Sequence, residues 1–361
     1  MKVLQSVEKG RRSSPREDHV DRSRGPLRVG PFFRSLRPKG LSAASLLGFA
    51  IWLQFSAGAA ATESLTELCR RLQHPRDVAE RLHAAEAIAE YGQRAVPTLC
   101  ELLRHRDPKV REFAGVALVR MGPDAEQAVP QLIAILQIQQ EPTRAIAAFA
   151  LGRIGPAATS AVPALLRVAH DPDWGLRKDA INALASIRTA DAVQALTSLL
   201  QSDERELQVA ALTAIQQCGP SAAIALTQIL DFAASVPDSG LSDEAFLTAG
   251  HLGAAAADDL TALLDADQAE TRRRAAMALC QMGCQGAFAV PALQRVLHDP
   301  DATVRFWAAR ALGGIGLTDP SSQFVLVQTL TDPDADVRWA AAEALHRNGV
   351  DATWTMSGAS P

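Results

Sequence analysis

The stretch DPDATVRFWAARALGGIG at residues 299–316 is followed one unit later by DPDADVRWAAAEALHRNG at residues 332–349. Asp299-Pro300 aligns with Asp332-Pro333, Val304-Arg305 with Val337-Arg338, Ala308-Ala309 with Ala341-Ala342, and Gly316 with Gly349. Counting outward, the same frame closes at Gly92, Gly122, Gly155, Arg188, Gly219, Gly253, Gly283, Gly316 and Gly349, at intervals of 30 to 34 residues. Eight of these nine positions are glycine, the residue that enters the left-handed region at a helix C-terminus without a Cβ clash. One short supersecondary unit has been copied along the chain and stacked.

Within the second half of each unit the apolar residues recur at helical spacing, as Val304, Ala308, Ala311, Leu312 and Ile315 do, which predicts a helix with one buried face. Its small residues let neighbouring helices approach closely. The first half opens with Ala95-Val96-Pro97, Ala128-Val129-Pro130, Ala161-Val162-Pro163 or Ala289-Val290-Pro291, followed by leucines. Proline is accommodated in a first helical turn, where no intrahelical N–H is needed. Asp107-Pro108, Asp171-Pro172, Asp299-Pro300 and Asp332-Pro333 mark the turn between the halves, where the carboxylate is expected to cap the second helix. Aromatics are 5% of the chain, and the alanine-rich units suit packed helices rather than strands.

The combination Asp-Pro, Val-Arg and Ala-Ala-x-Ala-Leu-Gly-x-Ile-Gly resembles the short HEAT-like repeat of the phycobilisome-lyase type, an armadillo-like helical array, over about four fifths of the chain. The resemblance implies an all-α, right-handed α-solenoid of about nine helix-turn-helix units, with the second helices lining the concave surface. The expected array spans residues 62–352, followed by a tail at 353–361 that contains Trp354. One arginine column, Arg81, Arg111, Arg144, Arg177, Arg272, Arg305 and Arg338, is broken by Gln208 and Ser242. It is expected to be a structural ladder, each guanidinium pairing with the turn aspartate of its own or the adjacent unit, such as Asp107, Asp171, Asp299 or Asp332.

Residues 1–40 carry 11 Lys or Arg against 4 Asp or Glu, a net of +7 in a chain whose total is −4, so the remainder carries −11. An acidic body disfavours nucleic-acid binding, which needs a basic stripe to displace counterions. The basic leader precedes Leu41 to Ala61, 21 uncharged residues with Phe49-Ala50-Ile51-Trp52-Leu53 at the centre and Ala57-Gly58-Ala59-Ala60-Ala61 at the end. Basic region, apolar core and small residues in order read as an export signal, either cleaved or kept as a membrane anchor. This places the protein in the cell envelope, periplasmic or held in the cytoplasmic membrane by residues 41–61.

Chemistry is sparse. Families with such repeats include a deoxyhypusine hydroxylase that binds iron through paired His-Glu motifs, and bilin lyases. No histidine here precedes a glutamate, and His74, His105, His170 and His298 recur beside the turns instead. Asp332, Asp334, Asp336 and Glu343 match four EF-hand positions, but Val337 stands where the loop must turn sharply. Gly314 and Gly316 lack the preceding strand of a dinucleotide fingerprint. The five cysteines are an odd number, and Cys69 and Cys100 in adjacent units should lie about a helix diameter apart, so apolar filling is their expected role. No catalytic residue, cofactor or metal is expected. The candidate partner-binding residues are Phe306, Trp307, Arg310, Trp339 and Glu343 on the last two second helices. Phe306 and Trp339 share one repeat position, so they anchor a partner or support a C-terminal cap formed with Trp354. Residues 233–240 form an insertion in the sixth unit, a binding loop or drift. The sequence thus points to an exported or anchored, non-enzymatic scaffold that holds a protein or peptide on its concave face. The alternative is a repeat-family enzyme of the hydroxylase or lyase kind.

Overall fold

A computed structural model describes residues 63–138, 143–316 and 320–350. The leader 1–40, the apolar segment 41–61 and the tail with Trp354 lie outside the described residues. Eighteen α-helices fall into nine pairs, and no strand occurs among the described residues. The pairs begin with α1 (Leu65–Gln73) and α2 (Val78–Ala89), α3 (Val96–Leu102) and α4 (Pro108–Met121), and α5 (Val129–Gln137) and α6 (Arg144–Ile154). They continue with α7 (Val162–Val168) and α8 (Trp174–Ile187), α9 (Ala190–Ser198) and α10 (Arg205–Cys218), and α11 (Leu226–Ser235) and α12 (Ser239–His251). The last three pairs are α13 (Ala257–Ala262) and α14 (Ala269–Met282), α15 (Val290–Val296) and α16 (Ala302–Ile315), and α17 (Pro320–Thr329) and α18 (Ala335–Arg347).

Each first helix packs on its own second helix, and each second helix packs on the next along the array, so the molecule is an all-α solenoid of nine helix-turn-helix units. The core between the layers is one continuous apolar cluster. Leu99, Leu132, Leu165 and Leu293 of the first helices and Ala308, Ala341 and Leu345 of the second are fully buried. The second helices come closest: a Cβ on Gly313 would stand 2.7 Å from the Cα and Cβ of Ala344 in the next unit. The alanine- and glycine-rich second helices thus form the more closely packed layer, and the leucine-rich first helices the other.

All nine closing positions have positive φ: the eight glycines lie between +56° and +103°, and Arg188 takes +55°. The links between units are tighter than turns. From Gly122, Gly155, Gly219 and Gly283 the chain runs as a seven-residue 3₁₀ helix straight into the next first helix, as in Gly122–Ala128. Pro123, Pro156 and Pro220 follow three of these glycines, at a first turn where a missing N–H costs nothing.

The cap expectation needs correction. Asp107 caps α4, accepting from the Lys109 N–H at 2.9 Å. In the other Asp-Pro turns the cap falls two residues later, on Asp173, Asp301 and Asp334. There Asp171, Asp299 and Asp332 accept the backbone N–H of the capping aspartate instead. This arrangement leaves their carboxylates available to a further donor.

The insertion is helical at both ends, with a short turn at 236–238 between them. Ala233, Ala234 and Ser235 form the last turn of α11, Ser239 and Gly240 begin α12, and Asp238 caps it through the N–H groups of Gly240 and Leu241. Three stretches, Arg144–Val168, Arg205–Ser235 and Ala269–Val296, have the length and mean hydropathy of a membrane span. Each is a second helix and the following first helix joined across a positive-φ glycine, and about half of each lies buried inside the array.

Candidate interaction surface

The arginine column stitches successive units. Arg305 Nε and Nη2 donate to the two carboxylate oxygens of Asp332 at 2.8 and 2.9 Å, while Nη1 donates to the carbonyls of Asp299 and Pro300 at 2.9 and 3.2 Å. Arg272 repeats this one unit earlier, forked on Asp299 at 2.7 and 3.0 Å and bonded to the Ala266 and Asp267 carbonyls. Each guanidinium therefore satisfies carbonyls of its own turn and grips the carboxylate of the next unit. Arg144 pairs with Asp171 at 2.7 Å, Arg81 reaches Asp107 at 3.6 Å, and Arg177 takes Glu204 in a turn where Ser202 stands at the ladder-aspartate position. Arg111 donates to the His105 and Arg106 carbonyls, and Arg338 to those of Asp332 and Pro333. Hydrogen bonding from Arg305 holds the Asp332 carboxyl below its ordinary value against the opposing effect of burial. Asp332 thus belongs to the ladder and Asp334 to a helix cap, not to a calcium loop.

The two breaks in the column keep half of its work. Gln208 still donates to the Leu200 and Ser202 carbonyls and Ser242 to that of Ala233. Neither reaches the next unit. For the first break, Arg205, one turn earlier, pairs with Asp238 at 2.7 Å. Near the second, Arg273 and Arg274 converge on Asp243 at 2.6 and 2.7 Å. Sequence reading missed these substitutes because they lie off the column.

In the last two pairs, Phe306 and Trp307 stand on α16 and Trp339 on α18. The Phe306 and Trp339 rings stack with centroids 6.5 Å apart and planes inclined by 14°, while Phe306 and Trp307 meet edge to face at 5.4 Å. The Arg310 guanidinium, one turn along α16, lies 5.7 Å from the Phe306 centroid and 5.3 Å from that of Trp307. Four of the five expected binding residues thus form one cluster. Trp339 is 56% exposed, whereas Phe306, Trp307 and Arg310 are half-buried. Glu343 sits at the repeat position of Arg310 on the adjacent helix but pairs with Arg347, and its Oε2 is buried with no hydrogen-bond partner among the described residues. Trp354, the other proposed contributor here, lies outside the described residues.

Elsewhere on the second helices two carboxyls are pushed up. Burial raises Glu86 to about 7, opposed by Arg120 and reinforced by Glu90, and its Oε1 has no hydrogen-bond partner among the described residues. Burial, with Asp173 nearby, raises Asp179 to about 6. Among the described residues no group of three His, Cys, Asp or Glu is placed to hold a metal. All five cysteines are free: Cys69, Cys100 and Cys218 are buried as apolar filling, whereas Cys284 is exposed and fills nothing.

Comparison with solved structures returns solenoids. The karyopherin Kap121p bound to the extreme C-terminus of the protein phosphatase Cdc14p superposes with a TM-score of 0.52 at 15% identity over 79% of this chain. Kap121p alone gives 0.51 at 15% identity over 84%. This chain spans 37% and 38% of those two longer chains. The complex of CpcE and CpcF of phycocyanin lyase from Nostoc gives 0.35 at 22% identity, covering 66% of this chain and 97% of that one. No curated protein sequence matches. The HEAT repeats family matches residues 65–143, 129–216 and 257–346, more than half of the chain and in register with the helix pairs, so this protein belongs to the HEAT-repeat family.

Proposed function

We propose that this protein is a non-enzymatic scaffold, exported or anchored through residues 41–61, that holds a protein or peptide on its concave face. The observation that carries the reading is Trp339, a large aromatic left 56% exposed while stacked on Phe306 of the preceding unit. Burying an indole of this size against a partner is the usual energetic centre of a protein interface. Kap121p, a solenoid of the same architecture, is seen bound to the C-terminus of Cdc14p. That precedent supports a protein segment as the kind of partner held here.

The test is Trp339→Ala in the full chain, with partner capture from envelope extracts and thermal stability measured on the same preparation. Loss of about 2 kcal/mol or more of capture with an unchanged melting temperature is expected for an interface anchor. Unchanged capture, with a large fall in melting temperature, would overturn the reading in favour of a structural cap.

A further inference from the structure

Arg310 differs from the ion-paired arginines of the second helices. Arg272, Arg273, Arg274 and Arg305 are each engaged by at least one carboxylate. Arg310 makes no hydrogen bond or ion pair among the described residues and is held by the faces of Phe306 and Trp307 alone. The carboxylate nearest in repeat position, Glu343, is turned to Arg347. The two cation–π contacts hold the guanidinium beside the rings while no acceptor among the described residues takes its N–H donors, which suits recognition of a carboxylate. A half-buried arginine fork beside an exposed, apolar indole is complementary to one kind of ligand.

We infer that the Phe306–Trp307–Arg310–Trp339 cluster recognises an acidic side chain flanked by apolar residues in an extended partner segment. The carboxylate docks on the Arg310 fork and the apolar neighbours cover Trp339. The inference rests on the binding reading above and adds to it the charge of the partner. The array as a whole is acidic, so the charge preference is carried by arginines without a carboxylate partner, and substitution of Arg310 separates its part from that of Arg338 beside Trp339.

The experiment is selection of randomised, N-acetylated and C-amidated peptides on the immobilised full-length protein, followed by affinity measurements on recovered peptides. Their Glu→Gln counterparts are tested in parallel, with wild type, Arg310→Gln, Arg310→Lys and Trp339→Ala as hosts. Recovered peptides should carry Asp or Glu next to Leu, Phe or a similar residue. Replacing that acid should weaken binding about tenfold, a difference that disappears in Arg310→Gln and is partly retained in Arg310→Lys. Trp339→Ala should weaken acidic and neutral peptides alike. Circular dichroism and melting of each variant separate folding defects from recognition. Binding that depends on Trp339 but shows no acid preference, or one that survives Arg310→Gln, overturns the inference and leaves the scaffold reading standing. Selection only of peptides with free carboxyl termini in a repeat library with unblocked ends would also overturn it, in favour of terminal-carboxylate capture. Absence of any Trp339-dependent binder from folded protein would sink both.

Discussion

The pairing of Arg305 with Asp332 is the sharpest place to test how the units are joined. The guanidinium is 12% and the carboxylate 9% exposed, and two charge-assisted hydrogen bonds of 2.8 and 2.9 Å connect them. Asp332→Asn keeps an acceptor for the Asp334 N–H but removes the charge opposite Arg305, and leaving a mostly buried guanidinium underpaired costs about 3 kcal/mol. Arg305→Gln reproduces the natural break at Gln208, which still reaches the carbonyls of its own unit. The expected cost is about 2 kcal/mol, chiefly the lost fork. The double variant should fall short of the sum by a coupling of about 2 kcal/mol, because either single change already breaks the same contact. Urea unfolding followed by tryptophan fluorescence suits the measurement, because Trp307 and Trp339 both lie in the units joined by the pair. Circular dichroism reports the whole array, and a separation of the two transitions in either single variant would show the last unit unfolding by itself. The pair depresses the Asp332 carboxyl in the folded state. Its contribution is therefore present above the unfolded carboxylate value and is lost as pH falls through the lower folded one. A coupling below about 0.5 kcal/mol at neutral pH, the value of an exposed surface pair, would refute the claim that the column joins the repeats.

Gly313→Ala should destabilise by about 1 to 3 kcal/mol, because the added Cβ would stand 2.7 Å from Ala344 and α16 and α18 would have to move apart; an unchanged denaturation midpoint would contradict the close approach. For Glu86 the folded value is raised from 4.5 to about 7. Its favourable contribution is thus complete below the unfolded value and is lost as pH rises through the folded one. Glu86→Gln should accordingly stabilise by up to about 3 kcal/mol at pH 8 and by almost nothing near pH 4, measured as melting temperature against pH; an equal gain at both ends would defeat the argument. A fusion of residues 1–64 to a reporter should carry it across the membrane, and N-terminal sequencing of the native protein then distinguishes cleavage from anchoring; a full-length, soluble cytoplasmic product would reject export.

The period, the helix pairs and the closing positions were legible in the amino-acid order because their causes are local. Positive φ at Gly316 or Arg188 is a property of one residue and the turn it ends, and an apolar stripe of period 3.6 announces its buried face without reference to any neighbour. The Asp-Pro and Val-Arg pairs likewise marked the turn and the ladder. Only the tertiary structure decided which carboxylate each arginine takes. Arg305 has Asp299 and Asp332 within the reach of a sequence argument, and it is the stacking of one unit on the next that gives the first its carbonyl and the second its carboxylate to the same guanidinium. The displaced caps at Asp173, Asp301 and Asp334 accompany this division of labour: the first aspartate of each turn takes the guanidinium and the backbone N–H of the second, and the second closes the helix. At the aromatic cluster, the shared repeat position of Phe306 and Trp339 foretold their contact, as identical positions in adjacent units must be neighbours. That Glu343 would turn to Arg347 and leave Arg310 unengaged was not foretold, because the choice between partners at similar distances is made by side-chain packing across helices, on which periodicity is silent.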